Sequence, residues 1–179
     1  MSNYSKIKTF YIVNGKGIRT SIFFSGCGFR CKGCFNSELW DFNAGEPFTR
    51  EVYETKIKPT ITEHIAGLSC LGGEPLNILN VNSVLDLVSW FKKDFPNKNV
   101  WLWTGFKFED LILYYSQHNS DFDYIKKIYE IFNYIDVLVD GQFIEEQKDL
   151  TLKWRGSRNQ RVIDIKKTLE KEEVVLYCD

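Results

Sequence analysis

Three cysteines, Cys27, Cys31 and Cys34, fall within eight residues of one another, directly after the apolar run Thr20–Phe24. Such a run reads as a strand, so the fold must deliver a strand end into a loop bearing three thiols. That loop, Ser25-Gly26-Cys27-Gly28-Phe29-Arg30-Cys31-Lys32-Gly33-Cys34-Phe35-Asn36, has C-x3-C-x2-C spacing, and Gly26, Gly28 and Gly33 let it turn tightly. Thiolates are soft ligands that suit zinc, Cu(I) or an iron–sulfur cluster. A structural zinc would need a fourth ligand. The candidates are His64, His118, Cys70 and Cys178, and none is spaced as a usual zinc partner. A cubane held by three cysteines needs no fourth, and leaves one iron open to a cofactor or substrate. Cys70, inside an apolar run, reads as a small core residue, and Cys178 as a solvent-exposed tail thiol. His64 and His118 read as surface or capping residues.

The rest of the chain alternates strands and helices. Ile65–Leu71 reads as a strand stopped by Gly72-Gly73-Glu74-Pro75. Val81–Phe95 is the clearest helix, with Val81, Val84, Leu85, Val88, Phe91 and Phe95 on one face. Asn99–Thr104 is a strand ended by Gly105, Phe108–Ser116 and Tyr124–Phe132 are helices, and Ile135–Val139 is a buried strand ended by Asp140-Gly141. This alternation predicts βαβ units around a parallel sheet. Too few elements are present to complete an eight-stranded barrel, which leaves a partial, open β/α barrel or a doubly wound sheet. Polar and glycine-bearing segments follow the strands, where such sheets place their ligand sites. Residues 1–179 read as a single domain, without repeats or a Pro/Gly-rich linker.

Composition narrows the function classes. The net charge of -1 leaves no basic excess to neutralise phosphates, which argues against nucleic acid. No apolar stretch approaches the roughly 20 residues needed to span a bilayer. Met1–Phe10 is polar and lacks the apolar core of a signal peptide. A cytoplasmic location is expected, and there clustered cysteines point to metal or redox chemistry rather than disulfides.

The cysteine loop, with an aromatic directly after its last cysteine, resembles the signature of the radical S-adenosylmethionine (SAM) superfamily, and Gly72-Gly73-Glu74-Pro75 is similar to that superfamily's glycine-rich motif after the second strand. The resemblance implies a radical SAM fold and one [4Fe–4S] cluster per chain on Cys27, Cys31 and Cys34, with SAM chelating the open iron. It places SAM contacts on Gly33, Cys34, Phe35 and Gly73, with Glu74 as partner of the methionine ammonium. Four further segments (Val13–Arg19, Trp101–Phe106, Asp136–Phe143 and Trp154–Arg161) are similar to the small activases of anaerobic ribonucleoside-triphosphate reductase. That similarity implies a protein partner, the reductase's large glycyl-radical subunit, from which a 5′-deoxyadenosyl radical takes a backbone hydrogen. It also implies an electron donor such as a flavodoxin, and a homodimer or a heterotetramer with the reductase.

Other readings stay open at this level. Gly72–Pro75 taken alone is only a strand-ending turn. Asp140 is a turn residue or a ribose contact. Arg155, Arg158 and Arg161 form a solvated face, or meet the partner or the SAM carboxylate. The chain as a whole could serve another glycyl-radical enzyme of the pyruvate formate-lyase type. It could also act on a small metabolite, or be a non-enzymatic iron–sulfur or zinc-binding module.

Overall fold

A computed structural model describes residues 2–117 and 122–178. Its spine is an eight-stranded sheet in the order β3-β1-β2-β4-β5-β6-β7-β8. The strands are β1 (Asn3–Tyr11), β2 (Arg19–Phe24), β3 (Glu46–Pro47), β4 (Gly67–Gly72), β5 (Asn99–Trp103), β6 (Val137–Asp140), β7 (Arg161–Asp164) and β8 (Leu176–Cys178). The helices are α1 (Arg50–Val52), α2 (Val81–Asp94), α3 (Phe108–Gln117), α4 (Phe122–Tyr134) and α5 (Ile165–Lys171).

The four central strands β2, β4, β5 and β6 are parallel and lie side by side in the sheet. The expectation of a parallel sheet holds only there. β1 and β3 on one flank and β7 and β8 on the other pair antiparallel, so the sheet is mixed. β1 escapes sequence reading because Lys6, Lys8 and Thr9 interrupt its apolar residues and leave only a polar N-terminus to see. The final strand, Leu176–Cys178, closes the sheet at its far edge beside β7.

One face of the sheet meets the helices. Ile22, Phe24, Leu68, Cys70, Val100, Leu102, Leu138 and Ile163 pack there against residues of α2, α3, α4 and α5 in one core. α2 buries Val81, Val84, Leu87, Val88 and Phe91, the three- and four-residue repeat of its sequence. Pro96 follows Phe95 and bars a further turn. The other face carries Phe23, Leu71, Trp101, Trp103, Val137, Val139 and Val162 in two smaller clusters. Trp101 stacks on Trp103 at 5.8 Å, and Trp154 and Tyr177 meet its ring edge-on at 4.9 and 5.2 Å. No described helix is long and apolar enough to cross a membrane.

Candidate active site

The site forms where β2 and β4 end side by side. Phe24 of β2 pairs with Gly72 of β4, and both strands run at once into turns. Those turns are joined by main-chain bonds. Gly73 N–H donates to Phe24 O at 2.8 Å, Glu74 N–H to Gly26 O at 2.8 Å, and Gly26 N–H to Leu39 O at 2.8 Å. Asn80, at the start of α2, donates its side-chain amide to Ser25 O at 3.0 Å and to Glu74 O at 2.9 Å. Such close approach requires glycine. A Cβ on Gly73 would stand 2.4 Å from Gly26 O, and one on Gly26, whose φ is +94°, only 2.0 Å from the Phe42 ring. Gly28, also expected to ease the loop, has a normal φ and open space where a Cβ would lie, so the loop does not require it.

Beyond these turns lies a cleft of about 480 Å³ on the helix-free side of the sheet. Cys27, Cys31, Cys34, Phe35, Gly73 and Glu74 all line it, so the two sequence signals meet in one place. Gly33 does not line it. It turns the loop at φ +71°, with its Cα against the Glu145 carboxylate. Cys27 is buried, which pushes its thiol up, while Cys31 and Cys34 are half-buried. Cys34 Sγ accepts the Asn36 N–H at 3.4 Å, a contact of the kind that steadies a thiolate ligand. Among the described residues no three His, Cys, Asp or Glu side chains are gathered around one point as a single ion requires.

Glu74 is 1% exposed, and three donors converge on it. Leu76 N–H and Thr104 Oγ1–H reach Oε1 at 2.9 and 2.8 Å, and Gly105 N–H reaches Oε2 at 2.6 Å. Burial outweighs these bonds and raises its carboxyl to about 7. Oε2 has a single donor, so a carboxylate that lines the cleft can still accept from a cation. Thr104 and Gly105 were visible only as a strand end; their hold on Glu74 has no local signal in the sequence.

The far wall comes from the segment around Arg155. Gln160 Oε1 accepts from Gly156 N–H at 2.8 Å and Ser157 N–H at 3.1 Å, while its amide donates to Gly141 O at 2.9 Å. Asn159 Nδ2 donates to Gln142 O at 2.7 Å. The polar residues of this stretch thus tie it to itself and to the turn after β6, while Arg155 and Gly156 line the cleft. Arg155 Nε is buried without a partner, as is Asn14 Nδ2, and both residues line the cleft. Two unused buried donors in one cleft call for an acceptor that the chain does not supply.

A model of the 4Fe-4S single cluster domain matches residues 13–163. Relatives named anaerobic ribonucleoside-triphosphate reductase-activating protein align over most of the chain. That of Haemophilus influenzae is 38% identical over 166 residues, spanning 88% of this chain and 95% of its own. That of Salmonella typhi is 40% identical over 154 residues (84% and 91%), and that of phage T4 38% over 162 residues (89% and 92%). The chain belongs to the family of anaerobic ribonucleoside-triphosphate reductase-activating proteins. The matched span contains every residue of the cleft described above except those of β1.

Within this activating-protein family member the three arginines of the late segment part company. Arg155 faces the cleft. Arg158 is exposed and bonds Asp149 at 3.2 Å. Arg161 is structural, donating to Asp140 through Nε at 3.0 Å and to Glu109 through Nη1 at 2.7 Å. Asp140 is 1% exposed, also accepts the Phe108 N–H at 2.8 Å, and does not line the cleft. Arg19 is buried as well. It donates to Ser69 Oγ at 2.6 Å, Asn99 Oδ1 at 2.6 Å and Leu68 O at 2.7 Å, and its burial lowers the guanidinium to about 10. Cys70 is a core residue with a thiol pushed up to about 12 by burial. Cys178 is not an exposed tail thiol: it pairs across from Val162 and packs half-buried beside the tryptophans. His64 is an exposed residue beside Glu63, and His118 lies outside the described residues.

Proposed function

We propose that this chain is the activase of an anaerobic ribonucleoside-triphosphate reductase, acting as a single-domain radical SAM enzyme of open-barrel type. The observation that carries the reading is the convergence of the C-x3-C-x2-C loop and the Gly72–Pro75 turn on one cleft, fixed to each other by main-chain bonds. The donor set suits the group. Three thiolates can hold three irons of a [4Fe–4S] cluster and leave the fourth for SAM. Once both are bound, they supply a one-electron cleavage of SAM that yields a 5′-deoxyadenosyl radical able to take a hydrogen from a glycine of the partner.

The chain's own residues bind, orient and exclude water. Cys27, Cys31 and Cys34 hold the cluster, and Gly33 turns the loop between them. Gly73 and Cys34 offer backbone to SAM, Phe35 offers a ring face, and Glu74 meets the ammonium. An ammonium at Oε2 would draw the Glu74 carboxyl back down from about 7, so that it serves as an anion at neutral pH. The unpartnered Arg155 Nε fits the SAM carboxylate. Low-potential electrons in a cytoplasmic setting would come from a donor such as a flavodoxin.

The test is anaerobic reconstitution, reduction with dithionite, addition of SAM and chromatography of 5′-deoxyadenosine. Production by the native chain and its loss in Cys31→Ala is the expected result. A chain that binds zinc or no metal and leaves SAM intact overturns the reading.

A further inference from the structure

The sheet has a free edge beside the cleft. β1 pairs with β2 along its length, but with β3 only at Asn3 and Tyr4. Among the described residues no main-chain group from Ser5 to Tyr11 bonds to any segment other than β2. Lys6, Lys8 and Tyr11 of this strand, and Val13 just after it, line the same cleft as the cysteines. The two lysines lie over the Phe23 ring, at 4.9 and 5.7 Å, so their side chains turn to the cleft face and do not blunt the edge. Register shifts at Tyr4/Lys6 and Lys8/Tyr11 bound a short regular stretch, Lys6-Ile7-Lys8. Phe10 and Ile12, immediately beyond, are 63% and 69% exposed, and with Val13 they place exposed apolar side chains together at this end of the strand.

We propose that the glycine-bearing segment of the reductase docks in extended form on this edge, adding a short strand along Lys6–Lys8 with its flank against Phe10 and Ile12. The inference rests on the activase reading and names the surface through which that reading's protein substrate enters. The reason for a strand, rather than a side-chain pocket, is the reacting atom. A backbone carbon offers no side chain to grip, and main-chain pairing holds a backbone at fixed register next to the cleft. The exposed apolar pair then supplies the part of the affinity that hydrogen bonding alone does not.

Hydrogen–deuterium exchange on the cluster-loaded chain with SAM, with and without the purified large reductase subunit, tests the proposal. The amides within Lys6–Lys8 that β2 leaves unbonded are expected to slow at least tenfold in the complex. A Phe10→Glu/Ile12→Glu variant is expected to keep its cluster absorbance and its partner-free 5′-deoxyadenosine production, while the glycyl-radical signal on the reductase drops at least tenfold. Unchanged exchange along β1, or full radical transfer by the variant, overturns the docking site. So does protection that appears without reductase and grows with the chain's own concentration, which would assign the edge to a second copy. Failure of SAM cleavage in the unsubstituted chain would instead sink the activase reading itself.

Discussion

Arg161→Met isolates a buried charge. In the native chain Asp140 receives two bonds from Arg161 and one from the Phe108 N–H, and it is 1% exposed. Methionine keeps much of the aliphatic stem but removes every donor that reaches Asp140 from β7. Glu109 also loses its partner, but with 45% of its side chain exposed it turns to water at a cost below about 1 kcal/mol. Asp140 has no such exit. Leaving one member of a buried pair unmatched costs about 3–5 kcal/mol, a large share of the roughly 5–15 kcal/mol that holds a domain folded. With a urea m-value of about 2 kcal/mol/M, the midpoint should fall by ~2 M. Unfolding followed by far-ultraviolet circular dichroism under nitrogen gives the number directly. Asp140→Asn/Arg161→Met should recover more than half of the loss, because the Asn carbonyl still accepts from Phe108 and no charge is stranded. A single-variant loss below about 1 kcal/mol, or a double variant at the sum of the two singles, would refute the assignment of Arg161 to structure rather than to the cleft.

Glu74 predicts a pH window. Its carboxyl is raised to about 7 in the folded chain against an ordinary 4.5, so folding takes up a proton between those values. The cluster-free protein should therefore be most stable near pH 5 and lose up to about 3 kcal/mol by pH 8. Urea midpoints in Glu74→Gln should show a flatter slope over that range, and an identical slope would contradict the burial argument. Gly26→Ala must accommodate a Cβ 2.0 Å from the Phe42 ring at φ +94°, and should lose its iron on desalting. Adding Phe42→Ala should restore only part of the iron measured colorimetrically, since the backbone strain of about 1–2 kcal/mol remains. Arg155→Ala should keep the cluster's visible absorbance but weaken SAM binding, read by equilibrium dialysis, at least tenfold, as loss of a charge-assisted bond implies. Unaltered SAM affinity would remove Arg155 from the site.

Much of the centre of the molecule was legible because its signals are local. The run Thr20–Phe24, the repeat in Val81–Phe95 and the cysteine spacing each follow from neighbours within a few residues. The flanks were not legible, since β1 and β7 are short or polar and acquire their pairing only from the sheet they join. The same division runs through the site. The cysteines and Gly73-Glu74 announce themselves, whereas Thr104 and Gly105, 30 and 31 residues on, matter only because the end of β5 brings them beside Glu74. The arginines of the late segment show the limit most clearly. Arg155 and Arg161 have identical chemistry and similar neighbours in sequence, and only the carboxylates of α3 and β6, brought up by the fold, decide which one is free to serve a ligand.

The junction between the cysteine loop and the Gly73–Glu74 turn is built from main-chain bonds, and its closeness depends on side chains being absent. Drift elsewhere in the chain can therefore alter what the cleft accepts while the seat of the thiols stays where it is. One α-hydrogen on Gly73 marks where a single methyl group, 2.4 Å from Gly26 O, would separate the halves of the site.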